Sequence, residues 1–130
     1  MENNIYFDEI VGKLVYDDAW YSTNIFTFNK KNVYIIFQAF EDEKLTDTQR
    51  VNYLYATKNL KVLLGKALSE IKKDIPDDVF KKFVIESLYF NRYNEFGFLG
   101  EFETFDDFPI AVKFDSAGNL IEIGDHDILI

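Results

Sequence analysis

The order of apolar and polar positions divides the chain into strands, then one long helix, then further strands. Val11 to Tyr16 is a short β-rich run, Trp20 to Phe28 alternates loosely, and Val33 to Phe40 is apolar on both alternating phases. A strand that is apolar on both phases is typical of the interior of a sheet that is covered on both faces. Because residues 29–32 have the composition of a turn, we expect the second and third runs to form a hairpin.

A helix is predicted to begin just after Thr46. Thr46 and Gln49 have the spacing of a capping box, in which each side chain caps a backbone N–H of the other residue. Apolar residues then recur at helical spacing to about Lys73, and Pro76 ends the helix. The broad face expected to pack on the sheet consists of Tyr53, Leu54, Leu60, Leu64, Ala67, Leu68, Ile71 and Ile75.

The second half of the chain returns to strand patterning. Apolar positions alternate over Val84 to Phe90, Phe96 to Phe102, Ile110 to Phe114 and Leu120 to Ile123. Short connections between these segments predict an antiparallel meander. We therefore expect one α+β domain over residues 1–130, in the order β-β-β-α-β-β-β-β. Its curled antiparallel sheet of about six or seven strands would pack against the one long helix.

Composition and charge narrow the classes of function. The chain has no cysteine, which excludes disulfides, a cysteine nucleophile and thiolate metal sites. Its formal net charge of -9 argues against a nucleic-acid partner, since neutralising phosphates needs an excess of basic residues. No apolar run approaches the roughly 20 residues that cross a bilayer, and no secretory signal is visible. We expect a cytoplasmic protein with no membrane partner.

The segment Gly124 to Asp127 contains the sole histidine, His126, between two aspartates. Two carboxylates beside an imidazole are suited to binding a divalent metal or to orienting a general base. Adjacent residues on a strand point to opposite faces, however, and no second histidine is present, so we expect a structural role. Residues 115–119 are interpreted as a glycine-containing turn, since they lack the register of a calcium loop. Phosphate loops and nucleophile elbows are absent, which predicts neither an enzyme nor a cofactor.

The leading hypothesis is a non-catalytic domain that binds a basic protein. Paired carboxylates stand beside the sole tryptophan and a tyrosine near the start of the chain, and a second acidic pair follows later. Aromatic anchors next to charged residues are typical of interface hot spots, and an acidic surface steers a basic partner. The predicted binding residues are Asp17, Asp18, Trp20, Tyr21, Asp106 and Asp107.

Two alternatives stay open beside this hypothesis. In the first, Val51, Tyr55 and Val62 form a second apolar stripe on the helix and bury against a twofold mate, giving a homodimer. In the second, a small molecule or metal binds around Gly124 to Asp127. Dependence of the oligomeric state on concentration tests the first, and a metal-dependent melting temperature tests the second.

The chain contains three motifs, Tyr16-Asp17-Asp18-x-Trp20, Thr46-x-x-Gln49-Arg50, and Ile110-x-Val112-x-Phe114-Asp115-x-x-Gly118 followed by Ile123-Gly124-Asp125-x-Asp127-Ile128. Together they resemble a group of small acidic bacterial domains of unknown function. Members of that group tend to end in Gly-Asp-Gln-Asp-Ile, and here His126 stands where Gln is usual. The resemblance implies an α+β fold and no established activity, and such domains are also similar to the acidic immunity proteins of bacterial toxin systems.

Overall fold

The computed structural model describes residues 4–71, 83–102 and 105–130, with the backbone alone for residues 105–108. Over these ranges the fold is α+β, with one long helix on an open sheet of nine strands. The predicted class and the single long helix are confirmed, and the sheet has more strands than the six or seven expected. The strands are β1 (Ile5–Asp8), β2 (Gly12–Tyr16), β3 (Trp20–Ser22), β4 (Phe26–Phe28), β5 (Lys31–Phe37), β6 (Phe83–Phe90), β7 (Phe96–Phe102), β8 (Phe105–Phe114) and β9 (Leu120–Gly124); the helices are α1 (Asp47–Ile71) and a 3₁₀ helix (His126–Leu129).

The additional strands have local causes. β1, which has no counterpart in the prediction, pairs antiparallel with β2. The loosely alternating second run splits into β3 and β4, and between them the Asn24 side-chain amide donates to the Val11 carbonyl at 2.8 Å. β4 and β5 form the expected hairpin, whose turn residues Asn29 and Lys30 both have positive φ (50 and 68). Two consecutive residues with positive φ are the geometry that joins strands most tightly.

The sheet has the order β1-β2-β3-β5-β6-β7-β8-β9, and β4 also pairs with β5. Every pairing is antiparallel except that of β5 with β6, which is parallel because α1 crosses over between them. The predicted meander is confirmed for β6 to β9, and β5 has neighbours on both sides as an interior strand should. Its expected coverage on both faces is wrong at Tyr34, which is 65% exposed.

The capping box at the start of α1 is confirmed in both directions. The Thr46 N–H donates to Gln49 Oε1 and the Gln49 N–H donates to Thr46 Oγ1, each at 3.0 Å. The buried stripe differs from the predicted face, since Leu54 is 49% exposed. Two polar residues take part in the stripe, because backbone carbonyls accept their amide N–H groups. The buried residues of α1 are Gln49, Asn52, Ala56, Leu60, Leu63, Ala67 and Ile71.

The sheet has an inner face, which packs on α1, and an outer face, which points away from it. The inner face carries most of the core, in which aromatic rings from neighbouring strands stack on one another. Phe37 and Phe90 stack at 4.9 Å between ring centroids, and Phe96 and Phe114 stack at 5.5 Å. Because side chains alternate along a strand, residues next to these in sequence belong to the outer face.

Candidate binding surface

One row of paired residues crosses the outer face of the sheet from β1 to β7. Residues that pair directly across neighbouring strands present their side chains on the same face. The row alternates in sequence with inner-face residues such as Trp20 and Phe37, so it lies wholly on the outer face. Its successive members are Ile5, Val15, Tyr21, Ile36, Tyr89 and Gly97.

Large apolar side chains are exposed over the first part of this row. Ile5 is 54% exposed, Phe7 72%, Tyr21 38% and Tyr34 65%. They come from β1, β3 and β5; on β2, the partly buried Val15 pairs with Ile5 and Tyr21, and the exposed Lys13 pairs with Phe7. We call these four exposed residues the open half of the outer face. Contiguous exposed apolar surface of this kind is characteristic of an interaction site.

A small pocket adjoins the open half where β3 gives way to β4. It has a volume of about 140 Å³, and Tyr34 lies in its wall. Ile25, which precedes β4, is 79% exposed and lines the same pocket. A partner side chain therefore has a recess to enter beside Tyr34, as hot-spot residues commonly do.

The 3₁₀ helix covers the other part of the outer face, over β7 and β8, and we call this part the covered half. Leu129 is 1% exposed, and its side chain occupies the space in which a Cβ on Gly97 would lie. His126 Nε2 lies 3.0 Å from the Tyr89 hydroxyl. Burial raises the pKa of Tyr89, which keeps its hydroxyl protonated.

The Gly124 to Asp127 segment is therefore not a continued strand as expected: Gly124 ends β9, and His126 and Asp127 begin the docked 3₁₀ helix. Asp125 caps it, since Asp125 Oδ1 accepts the Asp127 N–H at 3.0 Å. Among the residues that the structure describes, no group of three or more His, Asp or Glu side chains is arranged to hold a metal ion. The geometry gives no support to the metal alternative at this segment.

The predicted binding residues near the start of the chain separate into two groups. Asp17 and Asp18 are exposed in the turn between β2 and β3, and Tyr21 belongs to the open half. The prediction that Trp20 is a surface binding residue is corrected, because Trp20 is only 3% exposed and its indole N–H donates to the Glu43 carbonyl at 2.8 Å. Its ring also packs on the inner-face residues Tyr6 and Tyr16. Trp20 and Tyr21 are adjacent on one strand, so they must point to opposite faces.

The second predicted acidic pair, Asp106 and Asp107, lies outside the described side chains.

The proposed self-association stripe is only partly present on the surface. Val51 is 62% exposed and Val62 59%, as that hypothesis requires. Tyr55 is partly buried, because it packs on the ring of Phe96 at 6.1 Å between centroids and covers Gly118.

A buried ion pair fixes the edge strand β1 to the start of α1. Asp8 accepts hydrogen bonds from Arg50 Nε at 2.7 Å, from the Tyr6 hydroxyl, and from the N–H groups of Ile10 and Val11. Burial alone raises the pKa of Asp8, but these four donors outweigh it and hold the pKa below its usual value. The partners Asp8 and Arg50 are 42 residues apart in the chain, so no local pattern could have indicated this contact.

Comparisons with known proteins identify no relative of this chain: no family model matches it, and neither curated proteins nor solved structures give a match. Within the described residues, no helix is both long and apolar enough to pass through a membrane. The functional argument therefore depends on the geometry of the outer face.

Proposed function

We propose that this chain is a non-catalytic protein-binding domain that holds a basic partner against the open half of its sheet. The observation that carries the proposal is the exposure of large apolar side chains of β1, β3 and β5 on one face of the sheet, of which Phe7 at 72% and Tyr34 at 65% are the clearest. Burying such residues on binding is favourable in proportion to the apolar area removed from water. Tyrosine and phenylalanine also dominate the central contacts of protein interfaces.

The charge around the open half favours a basic partner. Asp17 and Asp18 are exposed at one end of it and Glu86 on β6 is exposed as well, whereas Lys13 is an exposed cation within it. Asp125 and Asp127 are exposed on the neighbouring 3₁₀ helix. Together with a formal net charge of -9, these carboxylates would attract a cationic surface and speed its association.

The chemistry of the described residues favours binding over catalysis. The sole histidine, His126, is engaged with the Tyr89 hydroxyl, and the pKa of Tyr89 is raised by burial. A nucleophile or general base at neutral pH needs the opposite shift for a hydroxyl group. An immunity-type protein that masks a basic toxin is one role that an acidic, aromatic surface suits, in line with the resemblance of the sequence motifs.

The test is capture of the partner by tagged protein from its native lysate, with mass spectrometry to identify what binds. Tyr34→Ala is the test variant, and Tyr93→Ala is its matched control, since Tyr93 is 71% exposed in the turn between β6 and β7. We expect one basic protein that is retained by the control, lost with Tyr34→Ala and released at high salt. A partner that binds both variants equally would contradict the use of the open half.

Self-association is a second candidate, supported by an exposed stripe on α1. Val51, Leu54 and Val62 are exposed by 62%, 49% and 59%. Val62→Lys should then convert a dimer to a monomer in sedimentation, whereas Tyr34→Ala should leave the dimer intact. A wild-type protein that stays monomeric at all concentrations would exclude this candidate.

A further inference from the structure

We infer that the basic partner is held by strand addition: an extended segment of it pairs with the free edge of β1 as an additional strand of the sheet. This inference rests on the proposed function and adds the way in which the partner is bound. It follows from the directions of the backbone groups of β1, from the side chains beside them, and from the charge of the adjoining cleft. Main-chain hydrogen bonds supply affinity in this mode of recognition, and alternate side chains supply specificity.

The hydrogen-bond phase of the hairpin shows which groups of β1 face its free edge. The Tyr16 N–H donates to the Asn4 carbonyl at 3.1 Å, so Asn4 and Tyr16 form a hydrogen-bonded pair. Hydrogen-bonded and non-hydrogen-bonded pairs alternate along an antiparallel ladder. Ile5 pairs with Val15 at the next position, and Phe7 follows two residues later. The N–H and C=O groups of Ile5 and Phe7 therefore point away from β2.

The next strand pair confirms this phase independently. The Thr23 N–H donates to the Lys13 carbonyl at 3.0 Å, so the backbone groups of Lys13 point towards β3. They cannot also bond to Phe7, the residue that pairs with Lys13 on β1. Since β1 is the first strand of the sheet order, the free groups of Phe7 face an edge without a neighbouring strand among the described residues.

β1 lacks three of the features that protect a sheet edge from pairing, namely a lysine, a proline and a bulge. Short length and an inward-pointing charge also protect an edge; β1 has four residues and ends at Asp8, whose carboxylate is paired with Arg50. β1 has the sequence Ile-Tyr-Phe-Asp and pairs with β2 in unbroken register. The opposite edge, β9, has a register shift in its pairing with β8 near Lys113 and carries Glu122 at its centre. The two edges thus differ, and β1 is the one suited to accept a strand.

An added strand would present its side chains to two different surroundings. Those on the outer face would lie beside Ile5 and Phe7 and extend the open half. Those on the inner face would enter a cleft of about 480 Å³ between β1 and the start of α1. The charged residues that line this cleft are Asp8, Glu9, Lys44, Asp47 and Arg50.

The charge of the cleft favours cationic side chains in the added strand. Three carboxylates, those of Asp8, Glu9 and Asp47, line the cleft together with the cations of Lys44 and Arg50, so one negative charge is in excess. Arg50 pairs with both Asp8 and Asp47, and the Asp47 side chain is fully exposed. A second copy of this chain would bring the same excess of negative charge to the edge, which opposes its association. The occupant is therefore a strand in which apolar residues alternate with Lys or Arg.

The probe for this inference is a fluorescently labelled peptide in which valine and lysine alternate. Its controls are the same peptide with glutamate for lysine, and a version with N-methylated amides that keeps every side chain but cannot donate to a strand. We expect saturable binding of the valine–lysine peptide and about tenfold or greater loss with either control, from lost charge pairing or lost hydrogen bonds. No saturable binding of the first peptide would overturn the inference.

The matched protein variants are Phe7→Ala and Phe7→Pro. Both remove the ring, but only proline removes the N–H that faces the free edge, and it leaves the β1–β2 hydrogen bonds in place. We expect Phe7→Pro to bind the peptide about tenfold more weakly than Phe7→Ala. Circular dichroism and the melting temperature would establish that both variants fold. Should Phe7→Pro not fold, the N-methylated peptide with wild-type protein decides the question.

The outcomes separate this inference from the proposed function. Equal binding of the plain and N-methylated peptides would overturn strand addition, while loss of the captured partner with Tyr34→Ala would still support the open half as the binding surface. Dimers that disappear with Phe7→Pro would show that a second copy occupies the edge, which overturns the basic occupant. A partner insensitive to Tyr34→Ala would remove the proposed function itself.

Discussion

The open and covered halves of the outer face belong to one sheet but are built from different residues. Under the 3₁₀ helix the sheet presents the small buried residues Gly97 on β7 and Ala111 on β8, and Leu129 fills the space above Gly97. In the open half the sheet presents large residues such as Phe7 and Tyr34, which are more than half exposed. Small residues allow close approach of a segment of the same chain, whereas large exposed ones are suited to cover by another molecule.

The largest expected effect on stability separates two adjacent residues whose side chains point to opposite faces of β3. Trp20→Ala should lower the free energy of unfolding by about 3–5 kcal/mol, because it removes a buried indole and leaves a cavity. Tyr21→Ala should lower it by less than about 1 kcal/mol, since Tyr21 is 38% exposed. Urea unfolding measures both. A Trp20→Ala protein of wild-type stability would contradict the assignment of the two faces.

The second effect on stability concerns the 3₁₀ helix over the covered half. Leu129→Ala should lower the free energy of unfolding by about 2–4 kcal/mol, because Leu129 is 1% exposed and packs over Gly97. Its neighbour Ile130 is 60% exposed, so Ile130→Ala should stay within about 0.5 kcal/mol of wild type. Thermal and urea unfolding of the two variants provide the comparison. Equal effects would mean that the 3₁₀ helix does not cover this half.

The third effect concerns the ion pair that anchors β1, the edge of the open half. Asp8→Asn should lower the free energy of unfolding at neutral pH by about 2 kcal/mol, since Arg50 and the turn N–H groups lose a charged acceptor. Because the pKa of Asp8 is lower in the folded protein than in the unfolded chain, its stabilisation is present above the unfolded value, near 3.8. It is lost as the pH falls through the folded pKa.

The pH dependence gives this third prediction its control. The stability difference between wild type and Asp8→Asn should be constant from neutral pH to about pH 5 and should shrink below about pH 4. Asp18→Asn is the matched variant, since Asp18 is exposed and has a φ of 63, which asparagine also adopts readily. Urea unfolding across this pH range should show little change for Asp18→Asn. A difference for Asp8→Asn that persists unchanged at low pH would contradict the role of its charge.

Features set by neighbouring residues were predictable from the sequence. The capping box of Thr46 and Gln49, the β4–β5 turn and the β8–β9 turn all formed as expected. In the last of these, Asp115 accepts the N–H groups of Ala117 and Asn119, and Gly118 has a φ of 84. Each depends on a side chain that bonds to backbone within a few residues, or on a residue that tolerates positive φ.

Features set by distant residues were not predictable. The alternation around Trp20 and Tyr21 is apolar on both phases, so it indicates a strand but not which residue points inward. Gln49 is buried because the carbonyls of Gln38 and Phe90 accept its amide N–H groups. The polarity of its side chain alone would have predicted exposure. The proposed binding surface has the same cause: Phe7 and Tyr34 have the pattern of ordinary core residues, and only the sheet order places them on a part of the face that no other described segment covers.

The smallest expected change in stability is the one that most sharply distinguishes the two halves. Tyr34→Ala should leave the free energy of unfolding within about 0.5 kcal/mol of wild type, because the side chain is 65% exposed. The same variant should abolish capture of the basic partner, whereas Tyr93→Ala should change neither quantity. Urea unfolding and capture would be measured on the same preparations. A loss of stability above about 1 kcal/mol would mean that Tyr34 supports the fold, and the open half would then resemble the covered half in being structural.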